Sequence, residues 1–478
     1  MIESMFESAE GIDCILAMGS AAQAESRAIA ERLAAVARLH ALRTREYPHV
    51  EYWVTDVHEA VAAEVSAAQN ISRSRAGSQV RMAVSLHQRL PRVAEIFARG
   101  QIDLRMVQIV LNRTDNVEND VLADLDAALA PELVGWMRFS EKKLKERVDR
   151  WVATFDPAGV RVPPNVRDNL YFTVEPHLPG TAFAGGLLDA LDAAALDQRL
   201  DALAATVCDA DPRTPGQRRA AACGALGRGE STLACRCESP ECPAAALKAS
   251  AADVVVHILA EQATIDGSSN APGYLEGFGV LPAEEVRQAA AAAELRPVNR
   301  PGDDPEPGYR PSRRLKDFLR WRDLTCRFPG CDAPVQRCDV DHTDPWPLGA
   351  THPSNNKHYC RDHHLIKTFY TGAHGWRDEQ RPDGTVVLIA PTGLVYVTDA
   401  HGGQLFPTLA VPTAELPGSV AAPVGADKTA MMPRRKKTRD QDRRDRVERE
   451  RRQRIELDAQ RERAHQAWLA ETYEPPPF

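Results

Sequence analysis

The chain has 478 residues, 43% of them hydrophobic and 26% charged, a composition expected of a soluble globular protein with room for about two to four domains. No apolar run approaches the roughly twenty residues of a membrane span, and Met1-Ile-Glu-Ser-Met-Phe-Glu7 lacks the basic and apolar regions of a signal peptide, so membrane and secreted classes are set aside and a cytoplasmic setting with reduced thiols is expected. The net charge of −8 does not exclude nucleic acid as a partner, because Arg310–Lys367 is net +4 (eleven Lys and Arg against seven Asp and Glu) and Arg434–Arg463 net +6 (fourteen against eight), leaving −18 elsewhere, and a phosphate-binding surface need only be locally positive.

From about residue 21 to 152 the pattern predicts a helical bundle. Ile29, Leu33 and Val36 keep the spacing of one helical stripe, as do Leu144, Val148, Trp151 and Val152 behind Ser140, a residue suited to an N-cap. Gly100 is placed to stop a helix through Val93, Ile96 and Phe97. A short strand is expected over Asn169–Val174, a helix from about Gly186 to Val207, and a buried strand over the β-branched run Ala252–Leu259. Between these last two, Cys235, Cys237 and Cys242 form a cluster that suggests a second zinc, with Cys223 and His257 as candidates for the fourth ligand and free loop thiols as the alternative.

Residues 296–309, with repeated Pro and two Gly, read as a linker. The expected division is thus a mainly helical N-terminal domain with a small sheet (1–295), the linker, a module at 310–412 and a tail at 413–478. Within the module, Gly375-Trp-Arg377, the Asp383-Gly384 turn, Val386–Ala390 and Leu394–Val397 predict a β-hairpin and a further strand that extend the module's edge. Thr413–Met432 is expected to be unstructured, and the alternating charges from Arg434 onward predict a solvated single helix or a disordered arm.

The chemistry gathers between Cys326 and Lys367. Pro329-Gly330 turns the chain between Cys326 and Cys331 so that both sulfurs can face one ion, and Cys360 and His363 lie about one helical turn apart. These four suit a tetrahedral structural zinc, whereas Cys338 falls outside the pattern and is expected to be packing. Asp341, His342, Asn355 and His364 are left over, a set sufficient for metal-assisted attack on a phosphodiester. His363 and His364 would diverge by about 100° on a helix and cannot easily share an ion; Asp341 and His342, consecutive on a strand, also point apart.

This stretch resembles the HNH endonucleases, the zinc-bearing branch of the ββα-metal nucleases. The wider chain is similar to actinobacterial proteins, including the mycobacterial thirteen-E-twelve repeat family, that join an N-terminal domain of unknown function to an HNH module; Tyr274–Pro282, Tyr309–Ser312 and Arg322–Cys331 carry that likeness. The resemblance implies an α+β chain whose module is a small ββα-metal fold with a structural Zn2+ on Cys326, Cys331, Cys360 and His363. It also implies that Asp341 and His364 hold a catalytic Mg2+, Mn2+ or Ni2+, that His342 is the general base, and that Asn355 fixes the imidazole or the metal loop.

The expected function is hydrolysis of DNA, as a nick or a double-strand break, to 5′-phosphate and 3′-hydroxyl ends. Arg313, Arg314, Arg320, Arg322, Arg327, Arg361 and Lys367 are the expected phosphate contacts. The alternatives are a catalytically silent, zinc-stabilised DNA-binding module and a nuclease acting on RNA. A homodimer and a protein partner for the N-terminal domain are compatible with the same reading.

Overall fold

Apolar stripes drive the first part of the chain into helices: α1 (Gly11–Glu46), α2 (Val57–Gln69), α3 (Arg73–Arg89), α4 (Pro91–Ala98), α5 (Leu104–Arg113), α6 (Asn119–Trp136) and α7 (Glu141–Phe155). The computed structural model describes residues 11–162, 170–237, 239–242, 255–291, 293–371, 375–414, 416 and 431–472. Leu33 and Val36 of α1 and Leu144, Val148 and Val152 of α7 enter one apolar core with Val93, Ile96 and Phe97. Gly100, at φ 73°, ends the turn after α4 in the left-handed region that glycine adopts without penalty. Ser140 takes the extended N-cap conformation, but its hydroxyl makes no capping hydrogen bond.

Contacts gather the chain into two units, Met1–Pro163 with Asn299–Phe478, and Pro164–Val298. The division read from the sequence followed chain order. Packing cuts elsewhere, because Val50, Trp53, Ala60, Ala63 and Ala67 of the helical part share a core with Cys326, Phe328, Tyr359, Leu365 and Ile366 of the module.

In the second unit, β1 (Tyr171–Pro176) and β2 (Ala182–Leu187) pair antiparallel. β2 takes the start of the stretch expected to be helical; α8 (Ala190–Ala204) begins only after Asp189, whose carboxylate accepts from Leu191 N at 3.0 Å. After α9 (Pro215–Gly227) come β3 (Ile258–Leu259), α10 (Gln262–Ile265), β4 (Gly273–Leu275), β5 (Gly279–Leu281) and α11 (Ala283–Ala290), the strands ordered β3-β4-β5. The long buried strand expected over Ala252–Leu259 is therefore corrected. Only Ile258–Leu259 is strand, Val255 and Val256 are exposed, and 252–254 lie outside the described residues.

Back in the first unit, α12 (Arg313–Asp323) leads to β6 (Cys338–His342) and β7 (Asn356–Cys360), an antiparallel pair with Cys338 opposite Cys360, Asp341 opposite Lys357 and His342 opposite Asn356. α13 (Arg361–Phe369) follows β7 directly, completing a ββα order. β8 (Arg377–Gln380), β9 (Val386–Ile389) and β10 (Val395–Thr398) form an antiparallel sheet with the Asp383-Gly384 turn between the first two. This sheet does not extend the β6–β7 edge as expected: among the described residues no strand pairing joins them, and Trp376, Val386 and Leu388 instead pack into the shared apolar core.

α14 (His401–Leu405) packs on α12, and the tail forms α15 (Arg439–Thr472). That last helix buries no residue, yet its first half is not simply solvated. Arg439 binds Asp56 and Glu59, Arg443 and Arg446 bind Asp115, and Arg451 binds Glu118 and Asp156. Most of the segment expected to be unstructured, at 415 and 417–430, lies outside the described residues. No described helix is long and apolar enough to cross a membrane.

Candidate functional site

Two hydrogen bonds, Cys326 N to Ala333 O at 2.8 Å and Cys331 N to Phe328 O at 3.1 Å, shape the loop after α12. Gly330 is required there: it sits at φ +72°, and a Cβ would lie 2.6 Å from Ile71 O. β7 delivers Cys360, and the first turn of α13 delivers His363. The four ligand atoms all lie within 4.8 Å of one another. His363 Nδ1 is 3.5 Å from Cys326 Sγ and 3.3 Å from Cys360 Sγ, close to the roughly 3.5 Å sulfur–nitrogen edge of a tetrahedron built on ordinary zinc bond lengths.

Phe328 stacks on the His363 ring at 3.9 Å and 7°, fixing its plane. Burial pushes the Cys326 thiol well above its usual range, while hydrogen bonds from Cys326 and Cys331 pull Cys360 far down. Three sulfurs with one imidazole nitrogen can hold a structural metal. Cys338 stays outside it, with Sγ 3.4 Å from Pro334 O.

The next face carries the carboxylates. Asp339 and Asp341 alternate along β6, so both point to the side where α13 presents His364. His364 Nδ1 lies 3.0 Å from Asp339 Oδ2, and its Nε2 lies 3.5 Å from Asp341 Oδ1. The two adjacent imidazoles of α13 point apart, His363 to the sulfurs and His364 to the carboxylates. Asp341 Oδ2 accepts from Lys357 at 3.2 Å and Lys367 at 2.7 Å. Burial raises the Asp341 carboxyl, but Lys367, Lys357 and His364 outweigh it and hold it at about 2.

His342 points the other way, 7% exposed, with the Tyr309 ring stacked 5.3 Å away. Its Nε2 is 2.9 Å from Thr351 Oγ1, and that hydroxyl spends its single proton on Gly308 O at 2.6 Å. Nε2 must therefore be the donor, which leaves the lone pair on Nδ1. Burial, then the ammonium groups of Lys367 and Lys357, lower the His342 pKa against the pull of Asp341, so the ring is neutral at neutral pH.

The Asn355 side chain hydrogen-bonds to neither His342 nor His364. Its side chain accepts from Asp344 N at 2.8 Å and donates to Asp344 O at 3.1 Å and Ala350 O at 2.9 Å, bracing the loop that follows His342. Asn356 Nδ2 donates to the backbone carbonyl of Asp341 at 3.5 Å and so braces β6 rather than a carboxylate.

Three expected phosphate contacts are corrected. Arg322 and Arg327 are 1% and 2% exposed and converge on the buried Asp323. Arg322 also donates to Pro353 O and Asn356 O, and Arg327 to Gly384 O and Thr398 O, so both serve the fold and leave no face for a phosphate. Lys367 is turned inward, bonded to Asp341, His342 O and Thr343 O. Arg313, Arg314 and Arg361 are exposed and Arg320 half-buried, with Arg361 pairing to Asp339 at 3.2 Å. Sequence reasoning missed Asp339, Lys357, Thr351 and Tyr309; only the Asp339-x-Asp341 alternation signalled any of them.

Within the second unit, Cys208 completes the group formed by Cys235, Cys237 and Cys242, so neither Cys223 nor His257 is the fourth member. Cys223 is exposed on α9.

Comparison with known proteins adds the family. A family model described as a domain of unknown function, DUF222, matches residues 20–323 and stops just short of Cys326. The uncharacterized proteins Rv2100 and Rv3776 of Mycobacterium tuberculosis H37Rv are each 40% identical to this chain over 97% of its length, covering 90% and 94% of their own. An uncharacterized M. tuberculosis protein from an est 3′ region is 37% identical over 64% of this chain and 94% of its own. No solved structure matches. With a family model spanning most of its residues and relatives of this identity covered almost end to end, the chain belongs to the DUF222 family.

Proposed function

We propose that the ββα module is a zinc-stabilised, HNH-type, metal-dependent endonuclease that hydrolyses phosphodiester bonds of DNA. One juxtaposition carries the reading. Asp341 Oδ1 and His364 Nε2 lie 3.5 Å apart, beside a neutral His342 whose lone pair is on Nδ1. The two lysines engage Oδ2 of Asp341 and leave Oδ1 facing His364, and an oxygen with an imidazole nitrogen is a donor pair suited to Mg2+, Mn2+ or Ni2+. When bound, such an ion supplies positive charge at the phosphoryl oxygens and the leaving 3′-oxygen.

His342 Nδ1 takes the proton of the attacking water, while Thr351 keeps the ring oriented by accepting from Nε2. The water oxygen bonds to phosphorus as the bond from phosphorus to the 3′-oxygen breaks, and the leaving 3′-oxygen takes a proton from solvent, giving 5′-phosphate and 3′-hydroxyl ends. Asn355 keeps the loop behind His342 in place, and of the expected phosphate contacts Arg313, Arg314 and Arg361 are exposed and Arg320 half-buried.

A second reading, a catalytically silent DNA-binding module, draws on the same pocket: Lys357 and Lys367 neutralise Asp341, and Tyr309 lies over His342. The deciding experiment incubates the full chain with supercoiled plasmid, and in parallel with an RNA hairpin, in Mg2+, Mn2+ or Ni2+. Cleavage of DNA that EDTA and His342→Ala both abolish supports the proposal. Binding without cleavage under every metal favours the silent module, and cleavage confined to RNA changes the substrate class.

A further inference from the structure

We propose that Cys208, Cys235, Cys237 and Cys242 are the four ligands of a second structural zinc, a tetrathiolate site that closes the second unit. It stands apart from the proposed nuclease chemistry and does not depend on it. The four sulfurs lie within 4.8 Å of one another, and Cys208 Sγ is 3.6 Å from Cys235 Sγ. A tetrahedron of sulfurs at the ordinary zinc–sulfur distance has edges of about 3.8 Å, whereas a disulfide would draw two sulfurs to about 2.05 Å.

The surroundings are built to hold the sulfurs in register. Asp211, its side chain fully buried, accepts from Arg213 Nε at 3.0 Å and from Arg236 N at 2.9 Å. Arg213 in turn donates to Ala234 O at 2.7 Å, so one ion pair ties the loop after Cys208 to the strand of chain that carries Cys235 and Cys237. The guanidinium of Arg213 also offsets part of the negative charge of a zinc with four thiolates. Among the described residues the apolar cluster here consists of Val207, Ala225, Leu233 and Cys235 with a few half-buried neighbours. So small a core needs a staple, and a structural metal contributes folding free energy directly.

The test is metal content of the full chain, purified under reducing conditions with zinc supplied, for wild type and for Cys208→Ser, Cys235→Ser, Cys326→Ser and Cys223→Ser. The expected result is two zinc ions per wild-type chain, one in each of the first three variants and two in Cys223→Ser. One zinc that Cys208→Ser removes and Cys326→Ser keeps also supports this site, while overturning the first cluster. One zinc that Cys208→Ser keeps, iron in place of zinc, or a Cys208–Cys235 disulfide in the mass spectrum overturns the proposal. Wild-type stoichiometry and Co2+ substitution do not require any variant to fold. Cobalt should give sulfur charge-transfer absorption for seven thiolates, and absorption for only three overturns the second site.

Discussion

In the proposed mechanism His342 is ready to act as a base because its neighbour Thr351 cannot donate to it. Because the Thr351 proton is committed to Gly308 O, the imidazole presents Nδ1 as acceptor without any conformational search. His342→Ala should lose about two to four orders of magnitude in plasmid cleavage, the range set by general-base catalysis, while keeping its circular dichroism and zinc content. Undiminished cleavage would remove His342 from the mechanism.

Asp323 makes a different case at the same scale, because its work is structural. Burial alone would raise its carboxyl, but Arg322, His358 and Arg327 hold it well below the usual carboxylate range. A depressed folded-state pKa means that its contribution is fully present above the unfolded value near 4 and drains away as pH falls toward the folded one. Asp323→Asn should destabilise the module by about 3–5 kcal/mol by stranding Arg322 and Arg327, and urea melts from pH 3 to 7 should show a shallower acid dependence than wild type. An unchanged midpoint at pH 7 would refute the hub.

At the scale of elements, the proposed function has α13 separate two metals by one residue, with His363 at the sulfurs and His364 at the carboxylates. His364→Ala should leave the tightly held zinc and abolish dependence on added Mn2+, whereas His363→Ala should weaken zinc itself; chelation followed by Mn2+ titration reads both. Exchange of the two outcomes would reverse the roles. Cys326→Ser and Cys360→Ser should unfold the module rather than slow a folded one, seen as loss of zinc together with loss of the cooperative melt.

What could be read in advance followed from locality. Cys326, Cys331, Cys360 and His363 were legible because turn and helix geometry bring near neighbours together; Asp341 and His364 were paired only by the resemblance to HNH endonucleases, strand and helix periodicities telling no more than that each points away from its neighbour. Cys208 was not legible, since a whole helix, α9, separates it from Cys235 and no local rule joins them. Arg322 and Arg327 were misread for a related reason: a charge in a basic stretch looks the same whether it faces water or a buried carboxylate, and Asp323 distinguishes the cases only once the chain is folded. The long strand expected over Ala252–Leu259 failed because β-branched residues record a preference for strands, not the presence of a partner.

At the scale of the whole chain, the helical part and the module share a core that chain order conceals; the tail is pinned to that same unit by Met432 in the core and by the backbone pairing of Trp53 with Arg434, and beyond it α15 is laid on by ion pairs. Arg439, Arg443, Arg446 and Arg451 of α15 meet Asp56, Asp115 and Asp156, and Arg161 returns the contact by binding Glu450 at 2.7 Å. No residue of α15 is fully buried and only Val447, Leu457 and Leu469 among its large apolar side chains are half-buried, so little apolar area opposes its release. Exposed pairs contribute about 0–1 kcal/mol each, and the screening length shrinks from about 10 Å at 0.1 M salt to about 3 Å at 1 M. Raising salt over that range should therefore speed amide exchange in the first half of α15 while α2–α7 stay protected. Asp115→Arg should do the same at low salt, because it turns the acceptor of Arg443 and Arg446 into a repelling charge. Exchange in α15 that is equally fast at both salt concentrations would mean that the arginines do not hold the helix, and the tail would then be the free charged arm that its composition first suggested.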